Sequence, residues 1–279
     1  MVVHLIDGTY ELFRHFYGLQ RHGGSKVSRF GAAIGVLNTV LRMIADGATH
    51  VGVATDHVIE SFRNELWSDY KTGDGIDRAL FAQFTPLEDS LRAMGVAVWP
   101  MIELEADDAL ASAAEIASKD ARVEKICIWT PDKDLSQCVR GDRVVQVDRR
   151  TNVVRDASGV RAKFGVDPEL IADYLALVGD ASDGYPGVKG IGAKGAATLL
   201  GRYGRIELFP PNVLGENRDS ALLFKNLATL RTDAKLFENV DELEWRGPTA
   251  AFADVCEQLG ASELWRRAES VTPFRQPTV

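Results

Sequence analysis

Nine carboxylates in this 279-residue chain stand where five separate segments should converge: Asp7, Asp56, Glu105, Asp107, Asp108, Asp132, Asp134, Asp180 and Asp183. So many acids cannot share one pocket in ionised form unless cations neutralise them, and an all-oxygen donor set suits Mg²⁺ or Mn²⁺. The chemistry such a cluster can do is metal-assisted phosphoryl transfer. Ordinary helix capping accounts for one acid per helix start. It does not account for the two or three crowded into Glu105-Ala106-Asp107-Asp108 and Asp132-Lys133-Asp134.

The elements that must position these acids read as strands and helices in alternation. Apolar runs at residues 2–6, 51–54, 96–99 and 126–129 each precede an acid or an acid cluster. Such continuous runs mark buried parallel strands, and ligands of open α/β sheets bind outside the carboxyl ends of those strands. Residues 30–45, 79–94 and 107–118 place apolar side chains at helical spacing, so the first ~150 residues predict a parallel sheet wound with helices. Segment 70–78, with two glycines and mixed charges, predicts a mobile loop near the carboxyl edge of the sheet. Runs 144–147 and 151–154 predict a final strand pair. From residue 157 to 270 the pattern is mostly helical, which places a domain boundary between 1–155 and 156–279; the last few residues, with Pro273 and Pro277, predict a frayed end.

Composition narrows the classes. The chain is 46% hydrophobic, enough for a substantial core, and holds no membrane-length apolar run; with no signal peptide expected before the first strand, a cytoplasmic protein is expected. Three distant cysteines argue against a disulfide framework or a cysteine zinc site, and no histidine has a metal-site spacing partner. A net charge of −8 looks unsuited to nucleic acid, yet setting aside the nine clustered acids leaves +1, so the local distribution of charge decides.

A second motif lies in the helical half. Asp167-Pro168 opens a helix whose apolar positions continue to Val178; Gly179-Asp180-Ala181-Ser182-Asp183 follows, and Gly187-Val188-Lys189-Gly190-Ile191-Gly192 then enters an alanine-rich helix. This is a helix-hairpin-helix signature. Its glycines let the backbone approach a phosphate, and the following helix N-terminus presents free N–H groups to that anion. Lys189 and Lys194 add positive charge.

The succession Leu5-Ile6-Asp7-Gly8, Ser61-Phe62-Arg63 with Tyr70-Lys71, Glu105-Ala106-Asp107-Asp108, Thr130-Pro131-Asp132-Lys133-Asp134-Leu135, and Gly179 to Gly192 resembles the bacterial and phage 5′ nucleases. These form the flap endonuclease superfamily, which includes the N-terminal domain of bacterial DNA polymerase I. Leu227 to Asp233 also matches that domain, and the chain looks like a stand-alone version, similar over residues 2 to 270. The resemblance implies a PIN-like parallel sheet flanked by helices and two groups of Mg²⁺ or Mn²⁺ ions. Asp7, Asp56, Glu105 and Asp107 would border the first group, and Asp108, Asp132, Asp134, Asp180 and Asp183 the second. Lys71 and Arg63 match residues that approach the scissile phosphate. Gly187, Lys189, Gly190, Gly192 and Lys194 would grip DNA, with K⁺ as a further expectation at the hairpin. Phe13-Arg14 stands where the family has Tyr-Arg, which makes Arg14 a DNA contact and leaves Phe13 open between base stacking and core packing.

One position departs from the family. Asp74 stands where a basic residue is usual, three places after Lys71, so the loop over a single strand is acidic. The implied partners are DNA with 5′ flaps, nicks, gaps or free 5′ ends, acted on by a monomer with no membrane association, and an RNA primer strand stays open. Three other readings are weaker. A non-catalytic DNA-binding module would have lost some of the acids; an aspartate-based phosphatase would carry its Asp-x-Asp on the first strand; a compact PIN ribonuclease would lack the hairpin.

Overall fold

The computed structural model describes residues 1–22 and 28–272; the expected frayed end at Pro273 and Pro277 lies outside them. One six-stranded sheet forms the centre, in the order β3-β2-β1-β4-β5-β6. The strands are β1 (Val2–Asp7), β2 (His50–Asp56), β3 (Ala97–Met101), β4 (Lys125–Trp129), β5 (Val144–Asp148) and β6 (Val153–Arg155). The first five run parallel and β6 pairs antiparallel with β5, as the hairpin pattern of residues 144–154 predicts. The chain switches sides at β1, since β2 and β4 flank it, and Asp7 closes that strand at the carboxyl edge. Ligand sites of open α/β sheets form at such a switch point.

Helices cover both faces. α1 (Gly8–His22) and α2 (Gly31–Ala45) pack on each other, and their core also takes in Leu80, Leu87 and Leu91. The 79–94 helix of the sequence pattern is instead two: α4 (Arg78–Phe81) and α5 (Phe84–Ala93), following the short α3 (Phe62–Leu66). Two causes act together. Pro86 has no N–H for a helical bond across the junction, and Gln83 turns inward, its Oε1 accepting the N–H groups of Ala32 and Ala33 at 3.1 Å each to cap α2. α6 (Ala106–Ser118) covers the opposite face with an alanine-rich stripe in the core of Leu5, Ile126 and Ile128.

The second half continues with α7 (Ala157–Phe164), α8 (Ile171–Val178) and α9 (Ala193–Tyr203), then α10 (Pro211–Leu214) and α11 (Arg218–Ala228). α8, α9 and α11 share an apolar cluster that also takes in Tyr70 and Val139 from the sheet half. The last two helices, α12 (Phe252–Leu259) and α13 (Glu263–Val271), return to the first half: Phe252, Cys256 and Leu264 bury themselves with α2 and α5. No helix among the described residues is long and apolar enough to cross a membrane.

Candidate active site

Local chemistry explains how each acid reaches the carboxyl edge. Asp7 ends β1, and the next residue must be glycine, because a Cβ at Gly8 would stand 2.7–2.8 Å from Val53 and Ala54 of β2. The tight turn into α1 lets Asp7 Oδ1 accept the Tyr10 N–H at 2.8 Å, while Oδ2 accepts the Thr130 hydroxyl at 2.9 Å. Asp56 ends β2 and caps α6 from a distance in sequence: its Oδ1 accepts the Ala106 N–H at 2.8 Å. That bond pins the helix carrying Asp107 to the strand carrying Asp56. Beyond β4, Asp132 Oδ1 accepts the Asp134 N–H at 3.0 Å, turning the chain into a 3₁₀ segment that buries Asp134.

Electrostatics divides the acids into two neighbouring groups. Burial, with the Asp56 and Asp132 charges nearby, pushes Asp7 up to about 7. Asp107 is driven well above the carboxylate range by burial and by Asp132 and Asp7. Burial likewise raises Asp56. These four acids therefore form one repelling set. In the second set, Asp134 is raised well above its ordinary value by burial and by Asp132 and Asp183, and burial lifts Asp183 to about 6. Carboxylate oxygens of Asp134, Asp180 and Asp183 all lie within 4.8 Å of one another. No other trio of potential ligands comes so close among the described residues.

Two lysines sit in this field. Lys71 Nζ lies 2.8 Å from Glu105 Oε2 and 3.5 Å from Asp183 Oδ1, spanning the interval between the sets, and keeps 30% of its side chain exposed. Lys133 Nζ contacts Asp180 and lies 3.9 Å from Asp134. Even so, Asp134 Oδ1 is buried with no hydrogen-bond partner, as is the Tyr185 hydroxyl, whose ionisation burial and then the Asp134 charge oppose. An orphaned carboxylate oxygen beside two further acids in an all-oxygen setting is a donor set that fits a hard divalent cation.

Asp108 and Arg63 need correction. Asp108, expected among the ligands of the second metal group, is 0% exposed and its oxygens are spent: Arg63 donates to them at 2.7 and 2.8 Å, the Glu105 N–H at 3.0 Å and the Arg231 N–H at 2.8 Å. Arg63, expected at the scissile phosphate, is 1% exposed and also donates to the Leu227 and Thr229 carbonyls. The pair is an internal clamp tying α3, α6 and the end of α11 together, with almost no surface of either side chain exposed. Glu105 is similarly engaged, accepting from Ser61 at 2.6 Å and Arg63 at 3.1 Å besides Lys71. Burial opposes its charge, but Lys71 and Arg63 outweigh that and hold its pKa below the ordinary value.

Near the edge, His57 pairs with buried Glu88 at 2.8 Å, and Phe13 packs edge-on against Phe84 in the core. Arg14 donates to buried Glu11 at 2.5 Å. Residue-type reasoning gives no role to Thr130, Lys133, Tyr185 or Glu88. Thr130 carried a readable signal, a hydroxyl where β4 meets the acid cluster; the others depend on tertiary contact.

The hairpin follows α8. Gly179 (φ 82°) and Gly187 (φ 70°) cross in direct contact: a Cβ on Gly187 would lie 2.3 Å from Gly179 N, so neither position accepts a side chain. Asp180 and Tyr185 exchange backbone bonds at 2.8 and 3.1 Å, closing the loop that carries Asp183. Gly190 (φ 86°) is open to solvent, and Gly192 starts α9 with no side-chain cap, leaving its first N–H groups free. Lys189 and Lys194 are exposed and have no acid partner among the described residues. The hairpin thus brings Gly187, Gly190, Gly192 and both lysines together at one end of α9.

With this geometry established, comparisons with known proteins place the chain. Residues 2–165 match the family model described as 5′-3′ exonuclease, N-terminal resolvase-like domain, and residues 166–251 match 5′-3′ exonuclease, C-terminal SAM fold. A resolvase-like sheet bearing a carboxylate centre beside a helical SAM-type unit defines a class of nucleic-acid enzymes. More particularly, the chain belongs to the 5′-3′ exonuclease family. It is 32% identical over 288 residues to the 5′-3′ exonuclease of Aquifex aeolicus, covering 98% of this chain and 96% of that relative. DNA polymerase I of Pseudomonas aeruginosa is 36% identical over 259 residues, but the chain spans only 28% of that protein's length. Two solved structures share the fold. T5 5′-exonuclease with bound zinc superposes with TM-score 0.62 at 18% identity, over 97% of this chain and 98% of that one. A complex of the bacteriophage T5 flap endonuclease with DNA and metal ions gives 0.60 at 21% identity, over 97% and 98%.

Proposed function

We propose that the chain is a divalent-metal-dependent 5′ nuclease that hydrolyses DNA phosphodiesters at 5′ flaps and at the 5′ ends of nicked or gapped duplexes. The observation that carries this reading is the orphaned oxygen of Asp134 within the Asp134, Asp180 and Asp183 trio, next to a second set of raised acids and a phosphate-suited hairpin. Asp7, Asp56, Asp107 and Asp132 would hold one ion, and Asp134, Asp180 and Asp183 another, with Asp132 in reach of both sets. Mg²⁺ or Mn²⁺ bound there would supply Lewis-acid stabilisation of phosphate charge and lower the pKa of the attacking water.

The residues themselves supply the rest. Thr130 and the Tyr10 N–H fix both oxygens of Asp7, so its rotamer is set before any ligand arrives. Lys71, partly exposed between the sets, offers a cation to the scissile phosphate, where negative charge concentrates beside acids. Lys189, Lys194 and the free N–H groups of α9 grip the duplex backbone, which orients the substrate without reading its sequence.

A 5′-labelled flap substrate incubated with Mg²⁺, Mn²⁺ or chelator tests the proposal through product length. Short labelled products that require a divalent ion are expected. Cleavage that persists in chelator, or products released from the 3′ end, would sink it.

A further inference from the structure

Four buried side-chain polar atoms among the described residues have no hydrogen-bond partner: Glu11 Oε1, Arg149 Nε, Asp134 Oδ1 and the Tyr185 hydroxyl. The first two face each other as an ion pair at 3.5 Å. Asp134 and Tyr185 have no such explanation. A carboxylate oxygen only accepts, whereas a phenol both donates and accepts.

Backbone pairing puts Tyr185 beside the acid trio. Asp180 and Tyr185 exchange N–H···O bonds at 2.8 and 3.1 Å as an antiparallel pair. Residues opposed in this way project their side chains to one side of the ribbon, with Cβ atoms about 5 Å apart. Tyr185 therefore shares a side with Asp180, whose carboxylate lies within 4.8 Å of those of Asp134 and Asp183. Its ring is held in place. It stacks on Phe224 with centroids 5.7 Å apart, Phe224 meets Trp67 edge-on at 5.4 Å, and Trp67 Nε1 donates to the Gly184 carbonyl at 3.1 Å. Only 1% of Tyr185 is exposed, so bulk solvent does not satisfy the hydroxyl.

The acids also set its chemical state. Burial, then the Asp134, Asp183 and Asp180 charges, raise the phenol well above its ordinary value, so it keeps its proton. Elsewhere in the trio the oxygens have partners: Asp180 Oδ1 accepts the Ser182 N–H at 2.9 Å, Asp180 Oδ2 contacts Lys133, and Asp183 Oδ1 faces Lys71 at 3.5 Å. Asp134 Oδ1 accepts nothing. A phenylalanine at position 185 would fill the same apolar slot and leave no polar atom unpaired. The hydroxyl is accounted for by a partner that arrives with a cation, because Mg²⁺ keeps several of its waters and polarises them into strong donors. We propose that Tyr185 is a positioning residue for the ion of the Asp134, Asp180 and Asp183 trio: its hydroxyl joins Asp134 to the hydration shell of that ion, accepting from the shell and donating to the carboxylate. Carboxylates that hold metals are oriented by such outer partners. The inference rests on the metal-dependent reading above and adds a neutral residue that does not itself ligate.

The full chain is tested without DNA, and Mn²⁺ alone is the probe. The paramagnetic resonance signal of free Mn²⁺ counts the ions bound along a titration, and thermal unfolding in chelator reads the metal-free fold. Tyr185→Phe keeps the ring and its stacking. It is expected to bind one ion about tenfold more weakly, with any other ion unaffected. In chelator it should unfold at or above the wild-type temperature, because an unpaired buried hydroxyl has gone. Wild-type affinity in Tyr185→Phe would overturn the proposal, and so would a lowered midpoint in chelator, which would make the hydroxyl structural. A second reporter leaves the hydroxyl in place: a ring-fluorinated tyrosine at this position should shift its fluorine resonance as Mg²⁺ saturates the site. An unmoved resonance refutes the contact even if Tyr185→Phe does not fold. A wild type that binds no Mn²⁺ fails the metal-dependent reading itself, whereas a wild type that binds it and a variant indistinguishable from it fail this inference alone.

Discussion

The Arg63–Asp108 clamp gives the sharpest separation between a folding role and a catalytic one. Asp108 accepts four hydrogen bonds, and Arg63 makes further bonds to Glu105 and to two carbonyls near the end of α11, all in a site at most 4% exposed at the three charged side chains. Arg63→Ala would leave Asp108 buried without its counter-charge and strand the Leu227 and Thr229 carbonyls. Removing one partner of a buried pair costs about 3–5 kcal/mol. At roughly 2–4 °C per kcal/mol for a chain of this size class, the unfolding midpoint should fall by about 6–20 °C. Replacing both partners together, Arg63→Met with Asp108→Leu, should recover part of that loss, because no uncompensated charge remains at Asp108. Thermal unfolding in chelator, with no substrate present, reads this directly. An Arg63→Ala protein that unfolds within about 1 kcal/mol of wild type yet no longer cleaves would show that the guanidinium serves substrate, and the clamp argument would be wrong.

Four further outcomes follow from the site. Asp132→Asn should abolish cleavage while leaving flap binding and the unfolding midpoint intact, since Asp132 is exposed and repels both acid sets; unchanged turnover would exclude it from the centre. Asp7 near 7 and Asp183 near 6 both lie above their unfolded values, so the folded state binds more protons between about pH 4 and 7. Metal-free stability should therefore fall as pH rises through that window, and a divalent ion should reverse the fall; a stability rise in chelator would contradict the burial argument. Lys189→Ala with Lys194→Ala should weaken duplex binding and remove about two units of salt slope, and an unaltered slope would dissociate the hairpin from DNA. Asp74→Arg, in the exposed loop after Lys71, should tighten binding of a single-stranded 5′ arm at moderate salt; unchanged affinity and cut position would remove the loop from the strand path.

Sequence legibility followed the physics of each element. Strand positions were readable because strands buried on both faces are continuously apolar, and acids at their carboxyl ends lie where a parallel sheet must gather them. The hairpin was readable because positive φ and close backbone contact leave few choices besides glycine at positions 179 and 187. What local patterns could not show is which partner an acid finds. Asp107 and Asp108 are adjacent, yet helical geometry turns one toward the acid set and the other toward Arg63, a residue 45 positions away. The broken helix at residues 82–83 has the same origin: Gln83 serves the N-terminus of α2, some 50 residues earlier. The return of Trp245, Phe252 and Leu264 to the first core is likewise invisible to periodicity, which gives the apolar face of a helix but not its destination.

That long-range packing bears on how binding and chemistry are coupled. Gly184, at φ 84°, lies so close to the Asp69 carbonyl that a Cβ there would stand 2.0 Å from its oxygen. Trp67 Nε1 donates to the Gly184 carbonyl at 3.1 Å, and the Lys71 N–H donates to the Asp183 carbonyl at 3.1 Å. The hairpin loop and the segment bearing Lys71 are thus one joined backbone unit, and the same loop carries Asp180 and Asp183. If the hairpin grips a duplex as proposed, a force applied at Gly190 to Lys194 would reach, through a few bonded residues, the two acids of the tight trio and the lysine between the sets. Since reacting groups misplaced by about 1 Å can cost a hundredfold in rate, under the proposed function this junction would let duplex binding set the spacing between Lys71 and the acids. Grip on the wrong DNA structure would then lower turnover without removing a single catalytic side chain.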